Sequence, residues 1–250
     1  MIAAVIVAGG RSSRMGKGVD KLFLKLGDVP VIAHTLMKFQ NCQAVKHINL
    51  VVRADARGNF QAVTRDYRIS KVRQIVLGGA ERQNSVWNGL EALPKGTDFV
   101  LIHDGARPCV TDELINRTIH AAREFGSGIA ACKIADTIKE VDDEGRIIST
   151  VPRDRLWAVQ TPQAFRYDLI MRAYRNVIEH NARVTDDASA VELLGEPVHI
   201  VESLPTNLKV TTPADVSIAG VLLPAKIVAE PMSVPTGTFY FGRNIEKNFR

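Results

Sequence analysis

Seven apolar residues, Ile2–Ala8, empty directly into Gly9-Gly10-Arg11-Ser12-Ser13-Arg14-Met15-Gly16, with Lys21 close behind. Such a run reads as a buried strand, and the glycine-rich cationic stretch after it reads as a loop for something carrying phosphates. Glycines let backbone N–H groups approach an anion closely, while Arg14 and Lys21 supply the charge that bare amides lack. Two familiar phosphate loops do not fit. The spacing from Gly10 to Gly16 differs from that of the P-loop of nucleoside triphosphatases, and Lys17 is followed by Gly18 rather than by Ser or Thr. The dinucleotide pattern G-x-G-x-x-G is absent as well. An ordinary Gly/Ser turn with solvated cations is the plainer alternative.

The rest of the chain alternates short apolar runs with amphipathic stretches. Ile2–Ala8, Ile48–Val52, Val72–Leu77 and Phe99–His103 read as strands, and Pro30–Phe39, Arg82–Leu93 and Thr111–Phe125 as helices. That alternation predicts an α/β fold: a mostly parallel twisted sheet with helices on both faces, binding its ligand outside the carboxyl ends of the strands. The glycine-rich loop, Gly78-Gly79-Ala80-Glu81-Arg82 and Asp104-Gly105-Ala106-Arg107-Pro108 each come after a strand, so all three are expected on one edge. From Ile129 the pattern changes. Ile129–Ala135, Thr137–Val141 and Arg146–Val151, with the turn Asp142-Asp143-Glu144-Gly145, read as strands of a protruding β-hairpin arm, about 137–156, and Leu156–Val159 returns to the sheet. An arm whose apolar residues cannot reach the main core needs a partner, which points to a homodimer. Helices are expected at Arg166–His180 and Asp186–Leu194, strands at Val198–Glu202 and Leu208–Val210, and a last helix from Pro213. Residues 1–223 thus read as one domain, and the proline-broken 224–250 as an extension with a late aromatic cluster, Phe239-Tyr240-Phe241.

Composition narrows the class without choosing the function. A 250-residue chain with 46 % hydrophobic and 24 % charged residues has the balance of a soluble globular protein. The net charge of +5 is spread along the chain, and no aromatic/basic interleaving marks a nucleic-acid platform. Cys42, Cys109 and Cys132 form no C-x-x-C pair and read as reduced structural thiols; the six histidines show no zinc spacing. The first apolar run is too short for a signal or a membrane span, so a cytoplasmic protein with no membrane partner is expected.

The candidate chemistry sits in a few residues. Arg14 and Lys21 can reach one anion, and two cations on one phosphate suit phosphoryl or nucleotidyl transfer, where charge on non-bridging oxygens must be held. Asp104 ends an apolar strand beside a glycine that admits close approach, which suits a phosphate-bound Mg²⁺; it could equally cap a turn. His103 reads as a packed or hydrogen-bonded histidine rather than a base. Gly78-Gly79 and Ser85 open a helix whose amides can meet a base or a phosphate, or simply make a turn. Arg107, Thr137, Arg153, Arg155, Thr161 and Lys209 are cationic or hydroxyl residues whose number points to a second anionic ligand.

Six strings then occur in order: Ala8-Gly9-Gly10-(x3)-Arg14-Met15, His103-Asp104-Gly105-Ala106-Arg107-Pro108, Asp136-Thr137-Ile138-Lys139, Leu156 to Phe165 (LWAVQTPQAF), Thr185-Asp186-Asp187-Ala188-Ser189 and Asn207-Leu208-Lys209-Val210-Thr211. Together, over about residues 1–222, they resemble the 2-C-methyl-D-erythritol 4-phosphate cytidylyltransferase family. The resemblance implies a Rossmann-like nucleotidyltransferase fold and transfer of a cytidylyl group from CTP to methylerythritol phosphate, with Mg²⁺ bound mainly through CTP, in non-mevalonate isoprenoid synthesis. It implies that Arg14 and Lys21 stabilise the α-phosphate and that Asp104 sits by the metal and phosphates. Ala8, Gly9, Gly10, Gly79, Ala80, Ser85 and Gly105 would then line the nucleotide site. Arg153 and Lys209 would position the sugar phosphate, and Arg107, Thr137 and Thr161 would complete its pocket, with Thr137 and Arg153 serving a neighbouring subunit. Ala80 stands where the family commonly has an acidic residue, and Val7-Ala8-Gly9-Gly10 where it often has Pro-Ala-Ala-Gly. A ribitol 5-phosphate cytidylyltransferase and a catalytically idle nucleotide-binding protein are the alternatives.

Overall fold

The computed structural model describes residues 1–10, 15 and 20–223. Arg14 and the extension 224–250 therefore lie outside the described residues. A seven-stranded mixed sheet is built from β1 (Ile2–Ala8), β4 (His47–Val52), β5 (Val72–Leu77), β6 (Phe99–Asp104), β7 (Ser127–Lys133), β10 (Trp157–Arg166) and β11 (Ile200–Glu202), in the order β11-β7-β10-β6-β1-β4-β5. Four neighbouring pairs are parallel, and β10 alone runs antiparallel to both its neighbours. Two further strands, β2 (Lys25–Leu26) and β3 (Val29–Pro30), form a small ribbon before the first helix.

Alternation along the strands divides the core in two. Ile2, Ala4, Ile6 and Ala8 of β1 face one side with Ile48, Leu50 and Val52 of β4; Ala3, Val5 and Val51 face the other. On the first side the sheet is covered by α1 (Val31–Asn41), α2 (Arg57–Asp66), α4 (Asp112–Phe125) and α7 (Pro213–Leu222). On the second it is covered by α3 (Arg82–Glu91), α5 (Tyr167–Glu179) and α6 (Asp187–Glu192). Burial on both faces is why central β1 reads as an unbroken apolar run, whereas the edge strand β5 admits exposed Arg73 and Gln74. The helix α4 starts where Thr111 accepts the Leu114 N–H at 3.2 Å and stops at Gly126, whose φ of +86° is easy only for glycine.

The arm is a two-stranded antiparallel ribbon, β8 (Ile138–Val141) and β9 (Ile147–Val151), outside the main sheet. Asp142 closes its turn by accepting from the Glu144 and Arg146 backbone N–H groups and from the Arg146 guanidinium. Val141, Ile147 and Ile148 are all exposed.

Most elements fall within two or three residues of the sequence expectation, and three differences have physical causes. The returning strand is not Leu156–Val159 but the ten residues of β10, which continues past Pro162. Proline in a central strand is tolerated there because the β10–β7 register slips between Val159 and Gln163, a break in the ladder where no N–H is required. Leu208–Val210 is not a strand; it is tied to the sheet edge by a Val210 N–H to Ala106 C=O bond of 2.8 Å. The helix α2 is absent from the sequence expectation, because in a polar segment only Phe60 and Val63 are buried.

Two glycines test the packing. A methyl group on Gly89 of α3 would lie 2.5 Å from Val5 Cγ1 and 2.7 Å from Val51 Cγ2, whereas one on Gly58 of α2 would meet nothing within 4 Å. Gly58→Ala is expected to raise stability by about 0.4–1 kcal/mol through helix propensity and the unfolded chain. Gly89→Ala is expected to lower it, because overpacking costs about 1–3 kcal/mol. Urea denaturation midpoints that move the same way for both would contradict this packing.

Candidate active site

Parallel pairing aligns the strand ends. Ala8 of β1 is in register with Val52 of β4, and Val7 with Asp104 of β6, so the segments beyond them leave the sheet side by side. Between them opens a cavity of about 960 Å³, lined by Gly9, Gly10, Lys21, Arg53, Gly78–Arg82, Ser85, Asp104, Ala106 and Lys209 among others. The described residues Gly9, Gly10 and Lys21 of the first segment, Gly78–Arg82 of the second and Asp104 and Ala106 of the third thus share one cavity.

The Gly78-Gly79 turn is dictated by contact. A Cβ on Gly78 would lie 2.7 Å from Ser85 Oγ, and one on Gly79 would lie 2.4 Å from Asn84 Cβ. The Ser85 hydroxyl is already committed: it accepts the Gly79 N–H at 3.1 Å and donates to the Glu81 carbonyl at 3.1 Å. Glu81 and Asn84 form a capping box at the start of α3. The glycine backbone therefore packs directly on the first turn of α3, which fixes the shape of this part of the cavity lining.

Asp104 is the electrostatic centre. Lys209 Nζ donates to its Oδ2 at 2.6 Å, Arg82 Nε reaches Oδ1 at 3.4 Å, and Arg107 Nε stands 3.9 Å from Oδ2. Burial alone would raise the carboxyl pKa; Arg82, Lys209 and Arg107 outweigh it and hold the group well below the usual carboxylate range. Arg82 is itself anchored by two parallel bonds to the fully buried Asp187, at 3.0 and 2.8 Å, and Tyr174 donates to Asp187 at 2.6 Å. Burial works against the Arg82 charge, but Asp187 and Asp104 more than compensate and raise its pKa well above the ordinary value.

The strand end beneath is fixed by a directional chain. The Arg107 carbonyl can only accept, so the His103 Nε2, 3.3 Å away, carries the proton and Nδ1 is an acceptor. Thr161 then donates its hydroxyl proton to Nδ1 at 3.0 Å and accepts the Asp104 N–H at 3.1 Å. Arg107 is buried and donates to the Asn207 carbonyl at 2.8 Å, while Asn207 donates to Gln160 and to the Thr161 carbonyl.

Of the residues singled out in the sequence, Ala8, Gly9, Gly10, Lys21, Gly79, Ala80, Ser85, Asp104 and Lys209 line the cavity. Gly105 lies directly behind it: its N–H donates to the Val7 carbonyl at 2.9 Å, and a Cβ there would sit 2.8 Å from Ile32. Arg107 and Thr161 stand beneath the wall and brace Asp104. Thr137 and Arg153 are exposed on the arm, away from the cavity lining of this chain; Arg153 donates to the Ala135 carbonyl. Three residues of the site have no role in the sequence reading: Arg82, placed there only as part of an edge loop, Arg53 and Asp187. Arg82 has a readable signal, since a cation in the first turn of a helix opposes the helix dipole and needs a carboxylate partner. Asp187 lies inside one of the six strings without a role.

Comparison with known proteins gives one consistent family. The family profile described as "IspD: 2-C-methyl-D-erythritol 4-phosphate cytidylyltransferase" matches residues 2–225. Proteins carrying that name from Pelotomaculum thermopropionicum and Geobacillus thermodenitrificans are 43 % and 45 % identical over 226 and 225 residues, covering 90 % of this chain and 95 % and 97 % of theirs. Among solved structures, the 4-diphosphocytidyl-2C-methyl-D-erythritol synthase of Anaerococcus prevotii superposes with a TM-score of 0.78 at 32 % identity, covering 88 % of this chain and 94 % of that one. The Thermus thermophilus 2-C-methyl-D-erythritol 4-phosphate cytidylyltransferase gives 0.72 at 29 % identity, covering 89 % and 98 %.

Burial holds His103 neutral, with its pKa pushed down to about 3. In the unfolded chain a histidine protonates near pH 6.5. The neutral ring's contribution is thus fully present above about pH 6.5 and lost as pH falls from there toward 3, by about 1.4 kcal/mol per unit. Between pH 6.5 and 5 the carboxylates, Asp104 included, contribute little to that slope. Urea denaturation of the wild type is expected to lose stability across this window, and His103→Gln is expected to reduce the loss to the share of His34, whose pKa burial also lowers; equal slopes would remove His103 from the account.

Proposed function

The chain belongs to the 2-C-methyl-D-erythritol 4-phosphate cytidylyltransferase family, and we propose that it transfers the cytidylyl group of CTP to 2-C-methyl-D-erythritol 4-phosphate, releasing pyrophosphate. The observation that carries this reading is the convergence of the glycine strand-ends, Lys21, Lys209, Arg82 and Asp104 on one cavity. The sugar phosphate oxygen attacks the α-phosphorus of CTP, the bond to the β-phosphate breaks, and its electrons leave on pyrophosphate. A phosphate monoester is already largely dianionic at neutral pH, with a second pKa of about 6, so no general base is required. The neutral, hydrogen-bonded His103 fits a reaction that runs on positioning and charge stabilisation.

In this reading the edges of Ala8–Gly10 and Gly79–Ala80 hold the nucleotide, with Ser85 and Gly105 shaping the wall behind. Lys21, with Arg14, balances charge growing on the α-phosphate oxygens. Lys209 meets the incoming sugar phosphate, with Arg153 and Thr137 supplied by the arm. Arg107 and Thr161 act from beneath, as the braces of Asp104. Among the described residues no three His, Cys, Asp or Glu side chains converge as metal ligands, and the Asp104 oxygens already face Lys209 and Arg82. That donor set would suit a Mg²⁺ carried in on the triphosphate of the nucleotide substrate, where Asp104 would stand by the metal and the phosphates and the ion would offset phosphate charge. Residues 1–223 would be the catalytic domain.

A cytoplasmic homodimer completes the proposal. Val141, Ile147 and Ile148 on the arm, 52 %, 64 % and 60 % exposed, have no core to join within the described residues, and a second copy would cover them. No helix of the described residues is long and apolar enough to cross a membrane.

Pyrophosphate release with CTP and Mg²⁺ is expected with methylerythritol 4-phosphate and not with ribitol 5-phosphate; the reverse preference would replace the acceptor. Arg14→Ala and Lys21→Ala are each expected to lower kcat by about 10²–10³. Lys209→Ala and Arg153→Ala should chiefly raise KM for the sugar phosphate while CTP binding survives. For the arm, sedimentation should give a dimer that Ile147→Asp with Ile148→Asp converts to monomers of low activity. A monomeric wild type would remove the arm from the site.

A further inference from the structure

Arg53, the first residue past β4, lines the cavity and contacts Gly10 and Asp20 on either side of the glycine-rich segment. Its Nη2 donates to Asp20 Oδ2 at 2.9 Å, its Nη1 reaches the Gly10 carbonyl at 3.5 Å, and its Nε donates to Asp55 Oδ1 at 3.2 Å. Register explains the reach. Val52 pairs with Ala8, so the next residue along β4 lies beside the start of the Gly9-Gly10 turn. The other end is fixed by Asp20, whose Oδ1 accepts the Leu22 N–H at 3.1 Å and so caps the single 3₁₀ turn Lys21–Phe23. Leu22 is buried in the core, and the Phe23 ring packs on Phe60 with centroids 4.8 Å apart.

A cationic side chain lining a phosphate cavity invites reading as a phosphate ligand. The bonding here argues otherwise. All three guanidinium nitrogens of Arg53 already face acceptors, two of them carboxylates whose charges outweigh its own. The group and its partners therefore present no net positive charge to a polyanion. The arrangement has the features of a brace: a planar fork on a rigid strand end, only 18 % exposed, holding a carboxylate whose second oxygen sets the turn that begins with Lys21.

We infer that Arg53 is a positioning residue that acts through Asp20 to fix the backbone of Lys21 and the Gly10 strand end for cytidylyl transfer. The inference rests on the proposed activity. Fixing Lys21 matters most where charge develops, so loss of the brace lowers kcat rather than sugar-phosphate binding. Arg53→Met keeps the aliphatic bulk and removes the fork. Asp20→Asn keeps an acceptor for the Leu22 N–H and weakens the pair, and it gives the same reading should Arg53→Met fail to fold.

The experiment is a double-mutant cycle with Lys21→Ala, read by steady-state kinetics, beside hydrogen exchange of residues 20–24 in the full chain. Arg53→Met and Asp20→Asn are expected to lower kcat by about 10–100-fold with KM for the sugar phosphate unchanged. In the Lys21→Ala background the further loss should shrink to about 2-fold or less, because the brace then has nothing to position. Exchange of residues 20–24 should rise while that of α1 does not. Equal kcat losses in both backgrounds, a loss confined to KM, or unchanged exchange at 20–24 would each overturn the inference. A wild type silent with CTP and methylerythritol 4-phosphate would instead fail the proposed activity, and the exchange comparison would still decide the brace.

Discussion

The structure turns on one carboxylate. Asp104 sits at the end of a central strand, almost out of water, where a bare charge would be strongly disfavoured. It stays ionised because Arg82 from α3, Arg107 from the turn after β6 and Lys209 from the segment before α7 converge on it. Arg107 is local, but Arg82 and Lys209 come from segments far from Asp104 in the chain, so the charge balance is complete only in the assembled fold. The same contact sets the site: the cations that make Asp104 tolerable are also those gathered at the cavity and its wall. Arg82 is held in turn by Asp187 under Tyr174, which carries the constraint from α3 to α5 and α6.

Direction is supplied by hydrogen bonds rather than by charge. A carbonyl that can only accept fixes the His103 tautomer, the tautomer makes Thr161 a donor to Nδ1, and the remaining lone pair of Thr161 receives the Asp104 N–H. Burial that keeps His103 neutral is therefore part of the positioning of Asp104. The break in the β10 ladder between Val159 and Gln163 contributes as well, since it lets Gln160 and Thr161 turn toward Asn207 and His103.

β1 is legible in the sequence because a strand buried on both faces leaves a continuous apolar run, and it matches its expected bounds to the residue; the partly exposed edge strand β5 matches as well, on Ile75-Val76-Leu77 and the Gly78-Gly79 turn that ends it. The site-bearing loops are legible for the same reason: in a parallel sheet, the loops at the carboxyl ends of the strands share one edge. Antiparallel β10 is cut short in the sequence reading because Pro162 resembles a breaker, and only its partner strands reveal a bulge that needs no N–H. The helix α2 is hidden because two buried side chains, Phe60 and Val63, carry it. Site residues with their own charge or glycine signature, such as Lys21, Asp104 and Gly79, stand out. Arg53 and Asp187 do not, since each acts through a partner distant in sequence.

A cavity for a triphosphate faces a conflict when empty: cations close enough to grip the ligand repel one another and destabilise the fold. This chain resolves the conflict by giving cavity cations carboxylate partners set at the rim or beneath the floor. Lys209 and Arg82 share Asp104, Arg82 also holds Asp187, and Arg53 holds Asp20 and Asp55. The anchoring differs in number. Arg82 is held by two parallel bonds to the fully buried Asp187 and also faces Asp104, whereas Lys209 is held at Asp104 by a single ammonium contact on a flexible stem. If Lys209 meets a substrate phosphate as proposed, it can turn from Asp104 while the Arg82–Asp187 pair stays in place. Preorganised charge and adaptable charge are separated onto different side chains around the same carboxylate, an arrangement suited to accepting two phosphorylated substrates in one pocket.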